Sequence, residues 1–440
     1  MRDIVIIAIV AVGVIAALRR PWIGVLLWTW LSMMSPHRMA WGFAYDAPLA
    51  AIAAGVTLLG LIYTRDKSSP FKGTPTVMLL LFSCWFTLSW LFGLDVAGDY
   101  PQWQKVLKIN FMVFVAMALI NHKRDLFALI WVTAGSLALL GAKGGVFTIM
   151  TGGNYKVWGP PGSFIEDNNE FALALVMTIP LLRFLQMQLT SRLGRHLMTL
   201  WMMLCAASAL GSHSRGGLLA IVAMTLVLWW RGRNKFFSAV LIGAVGVALL
   251  LFMPAEWTER METIQDYGQD RSALGRFSAW WTAWRLAFDY PLGVGFFAAR
   301  PELFQRYSPY PDLGTPAAHS IYFQVLGNHG FIGLFLFLLI WLTTYYAAGR
   351  LRKEAADIPQ ARWCVDLGGM CQVALVGYAV GGAFLSLAYF DLPYYVMAFV
   401  VIARSWLHRR GWENEPSPRI GRIPIPGLAA KTPPPAAVRA

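Results

Sequence analysis

A succession of long apolar runs, each ended by polar or basic residues, leaves this chain few folds to adopt. The runs cover 3–18, 21–35, 48–64, 75–94, 106–121, 125–141, 168–188, 197–211, 216–230, 236–253, 328–348, 369–390 and 394–408. A helix needs roughly 20 apolar residues to cross a bilayer. Within lipid its backbone N–H and C=O groups must be paired internally, which helices do. With 57% hydrophobic and only 14% charged residues, the composition lies far outside the globular norm. The expected fold class is an all-α polytopic integral membrane protein. Several runs are short, and only Arg19 and Arg20 part the first two, so about 12 transmembrane helices are expected. The 20 tryptophans suit a chain with many helix ends at the membrane interface.

Short loops rich in lysine and arginine face the cytoplasm. If the runs alternate, Arg65, Lys67, Lys72, Lys123, Arg124, Arg192, Arg195, Arg231, Arg350, Arg352 and Arg409 all fall on that side. The segments 95–105, 142–167, 212–215 and 254–327 then lie outside. The chain divides into an N-terminal transmembrane bundle (1–253), a large outer loop with amphipathic helices (254–327), C-terminal transmembrane helices (328–410) and a tail (411–440). Rich in proline and basic residues, that tail is expected to be disordered and cytoplasmic. The net charge of +14 sits in short runs between apolar segments, so it reads as orientation and argues against nucleic acid as a partner. The first apolar run lacks a small-residue cleavage site and is expected to be a retained span. Cys84, Cys205, Cys364 and Cys371 lie in or beside apolar segments with no CxxC and no paired histidine. Neither a disulfide framework nor a zinc site is indicated.

Long outer loops are exempt from the charge rule, so cations there have no topological duty. Lys143, Arg215, Arg276, Arg285 and Arg300 belong to this set. The segment 272–288 reads as an amphipathic helix with Phe277, Trp280, Trp281, Trp284 and Phe288 on one stripe. Arg276 and Arg285 flank that stripe, where each either snorkels to lipid phosphates or grips the phosphate of a substrate. Arg276 follows Gly275 at the helix start, where free N–H groups also favour anions. Arg215 occupies a tight turn, `GSHSRGGLL`, between two apolar runs. An arginine at a membrane boundary is costly unless paired, and its fork suits two phosphate oxygens.

His319 opens the apolar run after the loop and titrates near working pH, as a general base should. No metal-ligand spacing accompanies it. Glu166, Asp167 and Glu170 in `GPPGSFIEDNNEFALAL` (159–175) read as N-terminal capping acids rather than catalytic ones. Asp391, in `SLAYFDLPYY`, is an acid at membrane depth that either pairs with an arginine or orients a histidine. No P-loop or other nucleotide motif is present, so no cofactor is indicated.

Taken in order, `GSFIEDNNEFALAL`, `SRGG`, `GRFSAWWTAWRLAFDYPLGVGF` and `HSIYFQVLGNHGFIGL` resemble the O-antigen ligase/polymerase superfamily over roughly 140–400. The likeness is nearest to the ligases, including a branch associated with exopolysaccharide and exosortase systems. It implies a bundle of about a dozen spans similar to the GT-C glycosyltransferases, in the bacterial inner membrane with the 254–327 loop periplasmic. It also implies a donor glycan on undecaprenyl diphosphate, a lipid A–core acceptor hydroxyl, membrane lipids as further partners and no cofactor. Arg215 and Arg276 would hold the donor diphosphate, and His319 would take the acceptor proton. Lys143, Arg285, Arg300 and Asp391 are additional candidates. Many relatives carry an acid before the Gly-x-x-Gly, whereas this chain has Asn328-His329. The resemblance leaves open a polymerase, a protein O-oligosaccharyltransferase and, from another class, a lipid-linked glycan transporter.

Overall fold

The computed structural model describes residues 1–231, 235–236, 240, 243, 246, 254 and 271–415. Most of the expected run 236–253, the loop 255–270 and the tail from 416 lie outside the described residues. What is described is built of helices, with no strands among the described residues. They are α1 (Arg2–Arg19), α2 (Pro21–Met34), α3 (Leu49–Tyr63), α4 (Thr74–Leu91), α5 (Val96–Leu119), α6 (Lys123–Met150), α7 (Asn168–Gln188), α8 (Arg192–Gly211) and α9 (Arg215–Arg231). Beyond the gap come α10 (Arg271–Asp289), α11 (Pro301–Tyr307), α12 (Ile321–Glu354), α13 (Arg362–Gly382), α14 (Asp391–His408) and α15 (Gly411–Asn414).

Against the expected count of about 12, 6 helical segments among the described residues are long and apolar enough to span alone: α4, α6, α7, α8, α12 and Pro359–Gly382, which contains α13. Pro21–Met34, Leu49–Tyr63 and Arg215–Trp230 are apolar but shorter. Two boundaries differ from expectation. α6 continues to Met150, so Lys143 stands on a helix flank and not in an outer loop. α13 ends at Gly382 rather than near 390, and the following segment folds as a turn that feeds the site described below.

Inter-helix contacts sort the helix ends into two sets, as alternating spans require. At one end Tyr63 binds Leu18 O, Ser68 donates to Asn121 at 2.5 Å, Gln188 meets Asp366, and Arg404 and His408 close on Glu354. At the other, Ala44 N reaches Asp3, Val157 N donates to Gly211 O, and Asn168 donates to Ser212 O. The basic residues Arg65, Lys123, Arg195 and Arg350 belong to the first set of ends, and His319 and Arg276 to the second.

Small residues let the helices approach. A Cβ on Gly144 of α6 would lie 2.2 Å from Ser208 Oγ, and one on Gly145 would lie 2.2 Å from Leu204 O, both on α8. In lipid, close backbone approach of this kind supplies the packing that hydrophobic exclusion supplies in water.

The break in α12 anchors the outer end. Gly330 has φ +68°, a conformation open to glycine, and a Cβ there would lie 2.8 Å from Pro291 O. Freed backbone is taken up by the segment 293–298. Val294 N and Gly295 N donate to Asn328 O at 2.9 and 3.2 Å, and Ala298 N donates to Asn328 Oδ1 at 3.1 Å. Asn328 Nδ2 donates to Phe296 O and Tyr389 Oη. His329 is fully buried between Ser89 Oγ (3.1 Å) and Tyr389 Oη (2.7 Å), with Phe82, Phe86 and Phe296 around its ring. It is a structural histidine. Asn328 thus serves as a staple between the α12 break and the 293–298 segment.

The same segment is clamped from its other side. Arg300 reaches Asp99 at 2.8 Å and Asp95 at 3.4 Å, while Asp99 Oδ2 accepts from Phe296 N at 2.6 Å. Arg300 therefore holds its own loop against the start of α5 instead of facing an open site.

Candidate active site

His319 is placed by α10. Trp280 Nε1 donates to Ala318 O at 2.6 Å, and the Trp280 ring stacks on Phe323 at 5.0 Å with a 10° interplanar angle. Trp280 thus leaves the outward stripe expected for it. Phe277, Trp281, Trp284 and Phe288 remain exposed, while Ser278, Ala279, Thr282, Ala283 and Leu286 are buried. This division suits a helix whose small residues pack inward and whose aromatic rings meet lipid. Arg285 lies on the exposed side, and Arg276 is half-buried near the start of the helix.

The backbone of His319 has φ +41°, a left-handed value uncommon outside glycine. Strain of that sort persists where neighbouring structure over-determines it, and it clusters at functional positions. His319 Nδ1 and Ser320 Oγ are buried and find no hydrogen-bond partner among the described residues. Buried polar atoms are nearly always paired, so these two mark a place where a ligand contact fits.

Two opposite charges act on His319 there. Burial holds the His319 imidazole below its ordinary pKa, the Arg276 cation pushes it further down, and the Asp167 carboxylate pulls it back up. Asp167 is the N-cap of α7 and accepts from Asn169 N at 2.8 Å. Burial raises its pKa, but hydrogen bonds with Glu170 and Asn169 and the nearby His319 outweigh that, leaving it below the usual carboxylate range. The capping role expected for Asp167 holds. Its place in the field of His319 is the feature the spacing did not reveal, because residues 167 and 319 are joined only by the fold.

Arg215 opens α9 at the same end. A Cβ on Gly216 would lie 3.1 Å from Leu385 and 3.2 Å from Phe384, and one on Gly217 would lie 2.8 Å from Ala172 of α7. Glu170 Oε1 accepts from Ser386 N at 3.1 Å, so the turn 383–390 joins the starts of α7 and α9. The fold thereby gathers the starts of α7, α9, α10 and α12 around one mouth. Lys143, Arg285 and Arg300 stand elsewhere, as described. Asp391 lies in a separate recess, bound to Ser32 Oγ and within the field of Lys105.

Chemically, a half-buried guanidinium beside a neutral imidazole can stabilise negative charge on one group while a proton leaves another. Residues 199–338 match a family model described as O-antigen ligase. Residues 1–190 match a second model, described as a family of unknown function. No curated protein matches the chain.

Proposed function

We propose that this chain, whose residues 199–338 match the O-antigen ligase family model, is an O-antigen ligase of the bacterial inner membrane. It moves a glycan from undecaprenyl diphosphate to a sugar hydroxyl of lipid A–core at the periplasmic face. The observation that carries this reading is His319 itself, left-handed in backbone and with a buried Nδ1 that has no hydrogen-bond partner among the described residues, in the field of Arg276 and Asp167 at the end of the bundle opposite the basic loops.

In the reaction, the acceptor oxygen attacks the anomeric carbon and forms the new glycosidic bond as the bond to the diphosphate oxygen breaks. The diphosphate departs with the electron pair, and Arg276 and Arg215 meet its growing negative charge. Fixed guanidinium groups act best in such a setting, where they need no reorganisation at the moment of reaction. His319 accepts the hydroxyl proton and later returns it to solvent. Its lowered pKa keeps the imidazole neutral at neutral pH, which is the form a base needs. Asp167 steadies the imidazolium that forms. One displacement inverts the anomeric centre, and the donor bond supplies the driving force without a nucleotide or a metal ion.

Purified protein in lipid nanodiscs, given lipid-linked O-antigen and lipid A–core with chelator and no nucleotide, should yield ligated product of inverted configuration. Glycan chains lengthened on the lipid carrier would instead identify a polymerase. The absence of either product under these conditions overturns the metal-independent transfer proposed.

A further inference from the structure

Beyond the His319 mouth, at the same end of the bundle, the structure holds a cavity of ≈ 250 Å³. Its lining includes Trp28, Ser32, Gln104, Lys105, Phe164 and Asp391. Asp391 is only 2% exposed and accepts from Ser32 Oγ. Lys105 Nζ stands 3.9 Å from the centre of the Phe164 ring. His37, also on the wall, has a buried Nδ1 with no hydrogen-bond partner among the described residues. Charged and polar groups at membrane depth are costly, and their retention in a cavity marks a ligand or transport path.

Asp391 offers only acceptors when ionised and Lys105 only donors, while Gln104 and Ser32 offer both. Hydroxyl groups, each at once donor and acceptor, satisfy that mixture. Trp28 and Phe164 add apolar faces for C–H surfaces. Lys105 and Lys108 would meet a phosphate while the Asp391 carboxylate would oppose it, so the competition with pyrophosphate below decides between an anion and a sugar. The volume falls below the about 300–1,000 Å³ of pockets for drug-sized ligands, which suits a single sugar ring.

From this geometry we infer that the cavity is a monosaccharide subsite that takes a sugar of the acceptor next to the one whose hydroxyl reacts. As an acceptor site it rests on the ligase reading given above; as a sugar site it does not. The loop 159–167 joins the two places, since Phe164 lines the cavity and Asp167 stands in the field of His319. The turn 383–390 does the same from the other side, with Ser386 bound to Glu170 and Asp391 directly following it. A sugar held here is therefore positioned by the same two segments that border the proposed base.

Saturation-transfer NMR tests this on full-length protein in nanodiscs with no donor present, using methyl glycosides of glucose, galactose and mannose as probes. Transfer to the ring C–H protons of at least one glycoside is expected. Ala50→Phe, which fills the cavity, should lower that signal at least about threefold, as should Gln104→Leu, while Arg285→Ala, on the exposed face of α10, leaves it unchanged. Inorganic pyrophosphate should not displace the glycoside. Both cavity variants are first checked for an unchanged size-exclusion profile, and Gln104→Leu carries the test where Ala50→Phe fails to fold. No transfer to any glycoside, a signal that ignores both cavity variants, or displacement by pyrophosphate each overturns the subsite. Because donor is absent, a failure of glycan transfer in the nanodisc assay would leave this result standing on its own.

Discussion

His319 joins three features that seldom coincide: a left-handed backbone, a buried nitrogen without a partner among the described residues, and opposed charges acting on one ring. His319→Ala should lower transfer by about 10²–10⁴-fold, the usual worth of a general base, with donor affinity within about twofold. The sign of the pH effect follows from the charges. A base acts in its deprotonated form, so its acidic limb lies at its pKa, here below the ordinary histidine value of 6.5. Asp167→Asn removes the group that raises this pKa, and the limb should move to lower pH. Removing the cation with Arg276→Gln should move the limb up toward 6.5 while weakening the donor complex. A rate profile that is unmoved by both changes, measured from acid to neutral pH, would separate His319 from the proton transfer. The histidine and Arg276 were legible in the sequence as a cation and a base in an outer loop. Asp167 was not, because its capping signature gave a sufficient local reason for an acid at that place.

Among the elements, α10 sorts its two arginines by side. Arg276→Ala should cost donor affinity about 10–100-fold, the worth of a charged hydrogen bond, whereas Arg285→Ala, on the exposed face, should leave it within about twofold. Equilibrium binding of undecaprenyl diphosphate decides between them. The amphipathic period identified this helix, but it assigned Trp280 to the outward stripe. Helical spacing cannot tell which rim residue is recruited by a neighbouring backbone carbonyl, here that of Ala318. Arg300 illustrates the same limit. Its partners Asp95 and Asp99 lie some two hundred residues away, so the sequence offered only an outer cation. Arg300→Ala leaves Asp99, 1% exposed, without its ion partner, and should cost about 3 kcal/mol, the low end for breaking a buried pair. The expected readout is a lower thermal midpoint with an unchanged donor affinity. A fall in affinity at unchanged stability would return Arg300 to the binding site.

At the scale of the whole molecule, apolar runs and basic loops gave the all-helical class and the sorting of helix ends. What they could not give is the way four helix starts, far apart in the chain, meet at one mouth. That convergence depends on the Gly330 break, where a backbone turn open to glycine frees Asn328 to stitch the 293–298 segment in place. With the four native cysteines replaced, Asp312→Cys should react with a membrane-impermeant maleimide in intact spheroplasts, and Lys353→Cys only after permeabilisation. The reverse pattern would invert the orientation. The most direct measurement is a structure of the protein with undecaprenyl diphosphate bound. Its two phosphates should lie within hydrogen-bonding reach of Arg276 and Arg215, with His319 at their edge. Phosphates found beside Lys105 and Asp391, or at the opposite end near Arg350 and Arg352, would contradict the account.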